Sequence, residues 1–583
     1  MNGNLPHDSN GGIAETLKLS EEPSSSVTAG MKSYMRNLFK SIRTNFSKKC
    51  EKSLLSNLIE DIYIKSLSSR TKKASVFLLS FGIVSLILNY FLCSSIGNFI
   101  SDANTFSCVV VIVVGLLLFT YNKTFHNLIG TSKLLGPLSI VYSEQSITFT
   151  KKARFDRDYV YSTPFFLGVI FGIFSGIYPV SVICTFIVSI FCIIFIFNRP
   201  ECGMLFVIAM LPFLSPLMLL VFSCITFLSL LYRYLRGKRH IDFGVTSLLI
   251  LICAVYVVVR SAVSGENSFS GRIYIYVAFF IFTFMATNLI RSTAMFRRTV
   301  QVTIRMTRMF AVILVAYYLS NMFFGTRTIS HFVSLMNTDS LIHSLKSSAF
   351  VAPFLAMAVP MNFSYLVGSN KKSEIIKNII YLMLLLSCLL YVSSYALILI
   401  CILSCVAVLI FFNKKNAFLI IPAPFLAYGL FKLFNAVPSE YRMSASSDTT
   451  FGIKTALDII KSNPFFGSGP NVTDYSGNMV LNVVVTFGII GLVLLACVIA
   501  AMTVKTAKYV SADVMKSDKA RFLSIGLLCA QLSLMAVCVF TDIYCGFSII
   551  FLFSAIMSAS VTSGKCYEAD YIDETIVREY HSK

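Results

Sequence analysis

Apolar runs of the length that crosses a bilayer as helix, about 17–25 residues, recur from Ala74 almost to Ser560. The first fall at Ala74–Cys93, Phe106–Tyr121, Thr163–Tyr178 and Pro179–Asn198. The run Gly203–Tyr232 is cut by "PFLSP", which predicts a short helix and a longer one. Phe243–Val259, Ile273–Ile290, Met306–Phe324, Ser348–Gly368 and Ile376–Val392 follow. Ser394–Phe412, Ala417–Leu433, Gly477–Thr503, Phe522–Phe540 and Phe547–Ser560 complete the series. The pattern predicts an all-α polytopic integral membrane protein with about 14–16 transmembrane helices, the lower number if short or adjacent pairs are re-entrant.

The polar stretches between the runs give an orientation. Placing the N-terminus in the cytoplasm puts "KKARFDR", "YRYLRGKRH", "RSTAMFRR", "NKK" and "KSDKAR" on that side, as the retention of positive loops requires. The opposite side receives "SIGNFISDANT" and "TDIYCG". This threading predicts a basic cytoplasmic tail over 1–73, helices over 74–324, an outer loop at 325–347 and helices over 348–434. A second outer loop at 435–476, helices over 477–560 and a cytoplasmic tail at 561–583 follow. In the second loop, Ile453, Ala456, Leu457 and Ile460 have the spacing of a short amphipathic helix lying on the membrane. In the first tail, "MRNLFKSIRTNF" reads equally as a basic amphipathic helix on anionic lipid or as part of a disordered segment.

Composition narrows the class. Of 583 residues, 56% are hydrophobic and 13% charged, where a soluble domain carries roughly a quarter charged. The net charge of +21 sits in the loops, so it implies orientation and contact with membrane lipids, not nucleic acid. The 16 Cys include no CxxC pair, and many lie within apolar runs as small fillers, which predicts no metal site and no cofactor. The span interiors are read as nearly uncharged, with Lys432 close enough to an end to snorkel. Chemistry is therefore expected at the outer face.

One stretch combines glycines, polar residues and an apolar run: "NPFFGSGPNVTDYSGNMVLNVVVTFGIIGLVLL", Asn463 to Leu495. It lacks the lysine of a phosphate loop, and Gly467, Gly469 and Pro470 permit a tight turn. The order "TALDIIKSNPFFGSGP" then "YSGNMVLNVVVTFGIIGLVLL" resembles the signature region of the O-antigen ligase and polymerase family. The closing spans with Thr541–Asp542 also look like that family, and "NRPECGMLFVIAMLPFLSP" is similar to a segment of its Gram-positive members.

The resemblance implies a metal-independent glycosyltransferase in the cytoplasmic membrane, and the charge threading above puts both termini in the cytoplasm. It would move glycan from a polyprenyl-diphosphate donor to an acceptor hydroxyl in cell-surface polysaccharide assembly, with other assembly proteins as partners. Such chemistry needs arginines on the leaving diphosphate and a base for the acceptor proton. The chain departs from the family's pattern at several positions. Gly477 stands at the family's His, Thr486 at its Glu, Thr449 at its Arg and Ile453 at its Trp, and "YVSSYALILI" carries no Arg.

Outer-loop residues remain to fill the roles. Arg442 in "EYRMSASSD" matches an Arg that the family often places before a Ser/Asp-rich stretch. Arg327 and His331 in "GTRTISHF" lie one helical turn apart and complete the catalytic candidates. Arg272, Lys346 and Asp474 are the substrate-binding candidates, and Arg260, His343, Asp448 and Lys454 lie on the same side. An ordinary solvated loop residue is the alternative reading of each. Two rival functions stand beside the enzyme: a non-catalytic relative binding lipid-linked glycan or an assembly partner, and a lipid or glycan translocator.

Overall fold

In the computed structural model the apolar runs fold as α-helices. The structure describes residues 69–92, 103–121, 161–236, 245–263, 273–324, 348–392, 394–434, 449–469, 479–511, 518–538 and 552–562, with isolated positions between 41 and 66 and at 124, 125 and 241. Two compact units separate, residues 1–58 with 231–240 and residues 59–230 with 241–583, and the packing and sites below belong to the larger. The helices are α1 Thr71–Leu92, α2 Ala103–Thr120, α3 Ser162–Phe174, α4 Val180–Asn198, α5 Pro200–Ala209 and α6 Pro216–Leu235. Next come α7 Val245–Val263, α8 Ile273–Leu289, α9 Thr293–Phe324, α10 Ser348–Val367, α11 Lys372–Val392 and α12 Tyr395–Phe412. The series closes with α13 Ala423–Phe434, α14 Thr449–Ser462, α15 Met479–Ser511, α16 Asp518–Cys538 and α17 Leu552–Thr562.

Among the described residues no named strand occurs, and nine helices are long and apolar enough to cross a membrane: α1, α4, α6, α7, α9, α10, α12, α15 and α16. This is the architecture of an all-α, multi-pass membrane protein. Helices α10 and α16 are central, with 78% and 72% of their apolar windows buried, against 17% for α4. Side chains such as Val182, Phe186, Val188 and Phe191 on α4 are exposed, a surface that lipid tails cover at no hydrophobic cost.

Packing relies on close approach and on hydroxyl groups, because lipid removes the hydrophobic drive between helices. Gly168 and Gly172, one turn apart on α3, let that helix press against α1. A Cβ at Gly168 would lie 1.9 Å from Ser80 Oγ, and one at Gly172 2.7 Å from Val84 Cβ. Ser554 and Ser558 of α17 donate to the carbonyls of Phe279 (3.5 Å) and Thr283 (3.2 Å) of α8. The Ser364 hydroxyl of α10 donates to the Phe522 carbonyl of α16.

Three elements differ from the sequence expectation. Helix α9 begins at Thr293, thirteen residues before Met306, because Ser292 Oγ accepts from Met295 N (3.2 Å) and caps it; the basic "RSTAMFRR" thus runs into its first turns. The run Ala417–Leu433 divides into a 3₁₀ turn, Lys414–Ile420, and α13. Pro422 has no N–H to continue the ladder, so the helix restarts after it. The third is Arg308. It lies within α9, half-buried, two residues into the predicted span from its basic end, so the spans are not free of charge beyond Lys432.

Replacing Gly172 by Leu is expected to lower the thermal unfolding midpoint, at a cost of about 1–3 kcal/mol from overpacking. Gly429 has no atom within 4 Å of its would-be Cβ, so Gly429→Leu should stay within about 0.5 kcal/mol of wild type. Equal shifts for the two variants in a detergent melt would refute the α3–α1 contact.

Candidate functional site

The glycine-rich stretch is where the fold departs furthest from regular helix. Helix α15 is broken at Gly488, which takes φ 69° and ψ −174°. An unbroken helix would pair Ile489 N–H with the Val485 carbonyl and Ile490 N–H with the Thr486 carbonyl. The break frees all four groups, and in a bilayer each would cost several kcal/mol unpaired.

The turn after α14 supplies the missing partners. Ser468 N donates to Val485 O (2.7 Å) and Gly469 N to Thr486 O (3.1 Å). In return Ile489 N donates to Pro464 O (2.9 Å) and Ile490 N to Phe465 O (3.4 Å). Residues 464–469 therefore form a plug inserted into the helix break. Gly467 and Gly488 both have positive φ, and a Cβ on either would strike the opposing backbone: 2.6 Å to Gly488 N and 2.1 Å to Phe465 O. Only glycine meets both the dihedral and the space requirement.

Helix α7 clamps the plug from the side. Tyr256 and Arg260 lie one turn apart. The Tyr256 hydroxyl donates to the Phe487 carbonyl (2.8 Å), at the break itself. Arg260 Nε donates to Phe466 O (2.8 Å) and Nη2 to Gly467 O (2.6 Å). Both acceptors are neutral, and among the described residues no carboxylate pairs with Arg260. A guanidinium has five N–H donors, so three remain with a full positive charge.

They border a cavity of about 480 Å³ lined by Tyr256, Val259, Arg260, Asn463, Phe465 and neighbours. Phe465 and Phe466 are exposed at its rim, and α14 leads into it. On α14 Ala456 is buried and Leu457, Asp458 and Lys461 are exposed, the last two paired at 3.2 Å. The cavity combines one fixed cation with an apolar, aromatic wall, the chemistry that holds an amphiphilic anion.

The sequence-predicted candidates Arg442, Arg327, His331, Arg272, Lys346 and Asp474 all lie outside the described residues, as do His343, Asp448, Gly477 and Thr541–Asp542. Lys454 is described and exposed on α14. Thr486 is described: its hydroxyl donates to Asn482 O (2.6 Å) and its carbonyl receives Gly469 N, so it holds the junction together. Among the described residues no group of three His, Cys, Asp or Glu gathers to hold a metal. Sequence reading placed Arg260 beside Arg272 but missed its pairing with the glycine turn. A Tyr and an Arg four apart at the end of a span, on the side assigned to that turn, are the signal that was present.

Comparison with protein-family models, with curated proteins and with solved structures returned no match. The site's chemistry must therefore be argued from its own geometry.

Replacing Gly488 by Ala forces a side chain into the left-handed region and against the Phe465 carbonyl. The expected loss is about 3 kcal/mol or more, with faster proteolysis within 463–469. A melt within experimental error of wild type would show that the plug is not held as described.

Proposed function

We propose that the chain is a membrane glycosyltransferase of the O-antigen ligase and polymerase type, transferring glycan from a polyprenyl-diphosphate donor to an acceptor hydroxyl. The observation that carries this reading is the Arg260 cation fixed at the edge of an aromatic-walled cavity beside the 464–469 plug. In the same reading the chain crosses the cytoplasmic membrane about 14–16 times, with both termini inside and the plug facing out. In the reaction the acceptor oxygen bonds to the donor sugar's anomeric carbon as the bond to the diphosphate breaks. The acceptor proton passes to a base, for which His331 is the candidate. Negative charge grows on the departing diphosphate, where a pre-positioned guanidinium stabilises it more than it stabilises the bound donor.

A second reading has its own support: binding of the lipid-linked glycan without transfer. Gly477 and Thr486 stand where the resembled family has His and Glu, and the Thr486 hydroxyl is committed to its own helix. The two readings share the binding site and differ in turnover.

The test uses full-length protein in nanodiscs with polyprenyl-diphosphate glycan from its host, following free polyprenyl diphosphate by mass spectrometry. Release is expected, and Arg260→Gln should slow it about 100-fold while Arg260→Lys retains part of the rate. Binding without release would establish the second reading. Absence of binding by well-folded protein would overturn both.

A further inference from the structure

Arg308 lies far from any role in the 464–469 plug, and its surroundings are built. Its Nε donates to Asn362 Oδ1 of α10 (2.8 Å) and Nη2 to Asn378 Oδ1 of α11 (2.9 Å). The asparagines are themselves fixed as acceptors. Asn362 Nδ2 is held by Ala358 O (2.9 Å) and Thr307 Oγ1 (3.2 Å), and Asn378 Nδ2 by Ser369 Oγ (2.9 Å). The guanidinium carbon sits 4.7 Å from the Tyr381 ring centroid and 5.4 Å from that of Tyr365. Three helices and two aromatic faces thus hold one cation in a single orientation.

Among its described partners the cradle holds no anion. Among the described residues no carboxylate pairs with Arg308. A half-buried charge held by neutral groups alone has lost hydration without gaining a counter-charge. Its Nη1 group has no protein partner there, yet none of its nitrogens is buried unsatisfied, so Nη1 faces accessible space.

The neighbourhood is basic: Arg305 one turn before on α9, Lys371 just before α11 and Lys372 and Lys377 in its first turns, against the carboxylate of Glu374. Beyond Arg308, α9 exposes Met309 and Val312. Val312 lies one turn beyond Arg308 on the same side of α9, with Met309 beside it, so the cation borders an exposed apolar strip of that helix.

We propose that this cradle binds the phosphate headgroup of an anionic membrane phospholipid, with Arg308 Nη1 on the phosphate oxygen and an acyl chain along the exposed apolar strip of α9. An anionic phospholipid fits better than a soluble phosphate because the charge opens onto a surface that only a hydrocarbon chain would cover. The site is separate from the cavity beside Arg260 and does not depend on what that cavity holds.

The experiment is native mass spectrometry and thermal unfolding of delipidated full-length protein with added phosphatidylglycerol, phosphatidylcholine or glycerol 1-phosphate. Phosphatidylglycerol is expected to stay bound and raise the unfolding midpoint, phosphatidylcholine and glycerol 1-phosphate to do neither. Arg308→Lys keeps the charge and loses the planar fork, and should weaken phosphatidylglycerol about tenfold or more. Because a change at Arg308 affects packing, a surface variant, Lys371→Gln with Lys377→Gln, provides a second arm and should weaken the lipid without lowering the lipid-free midpoint. Equal retention of phosphatidylcholine, or unchanged affinity in both variants, would overturn the proposal. Equal stabilisation by glycerol 1-phosphate would overturn the lipid as its source.

Discussion

The backbone of a membrane protein has no water to fall back on, so each interrupted hydrogen bond must be remade by another part of the chain. That constraint organises the most irregular part of this molecule. Helix α15 breaks at Gly488, and the turn at Pro464–Gly469 replaces the lost ladder bonds in both directions. The exchange is reciprocal, two donors for two acceptors, so neither segment holds its geometry without the other. Tyr256 and Arg260 then secure the junction from α7, and the cavity beside it follows from that arrangement.

Arg260 and Arg308 share an economy. Each guanidinium is oriented by neutral oxygens, carbonyls in one case and asparagine amides in the other. A carboxylate partner would cancel the charge, whereas a neutral acceptor fixes the fork and leaves the field intact. Neither cation is paired with a carboxylate among the described residues. They belong to different helix groups, α7 with α15 and α9 with α10 and α11.

Much of the architecture was legible along the chain because transmembrane helices satisfy their own backbone and announce themselves by length and polarity. The interruption at "PFLSP" marks the gap between α5 and α6, and a helix, α14, forms where the spacing in the second loop predicted one, with Ala456 buried and Leu457 exposed. Boundaries failed where polar sequence stayed helical, as in the basic start of α9. A cap at Ser292 outweighs the charge pattern there. Arg308 went unread because a single arginine inside an apolar run carries no sign of what will surround it. Asn362 and Asn378 come from two other helices, 54 and 70 residues further on.

By itself, then, the sequence determined that the chain is helical and multi-pass, and that Gly467 and Gly469 mark a turn before a late apolar run. Those properties depend on local composition and on periodicities that a single segment displays. Only the tertiary structure decided that the turn is a plug in a broken helix, that Arg260 is the cation beside it, and that Arg308 is caged with no carboxylate among the described residues. Each of these depends on hydrogen bonds between residues far apart in the chain, 206 and 207 positions in the case of Arg260. A glycine's neighbours and an arginine's acceptors are set by which helices meet, and helix pairing is not written into any one of them.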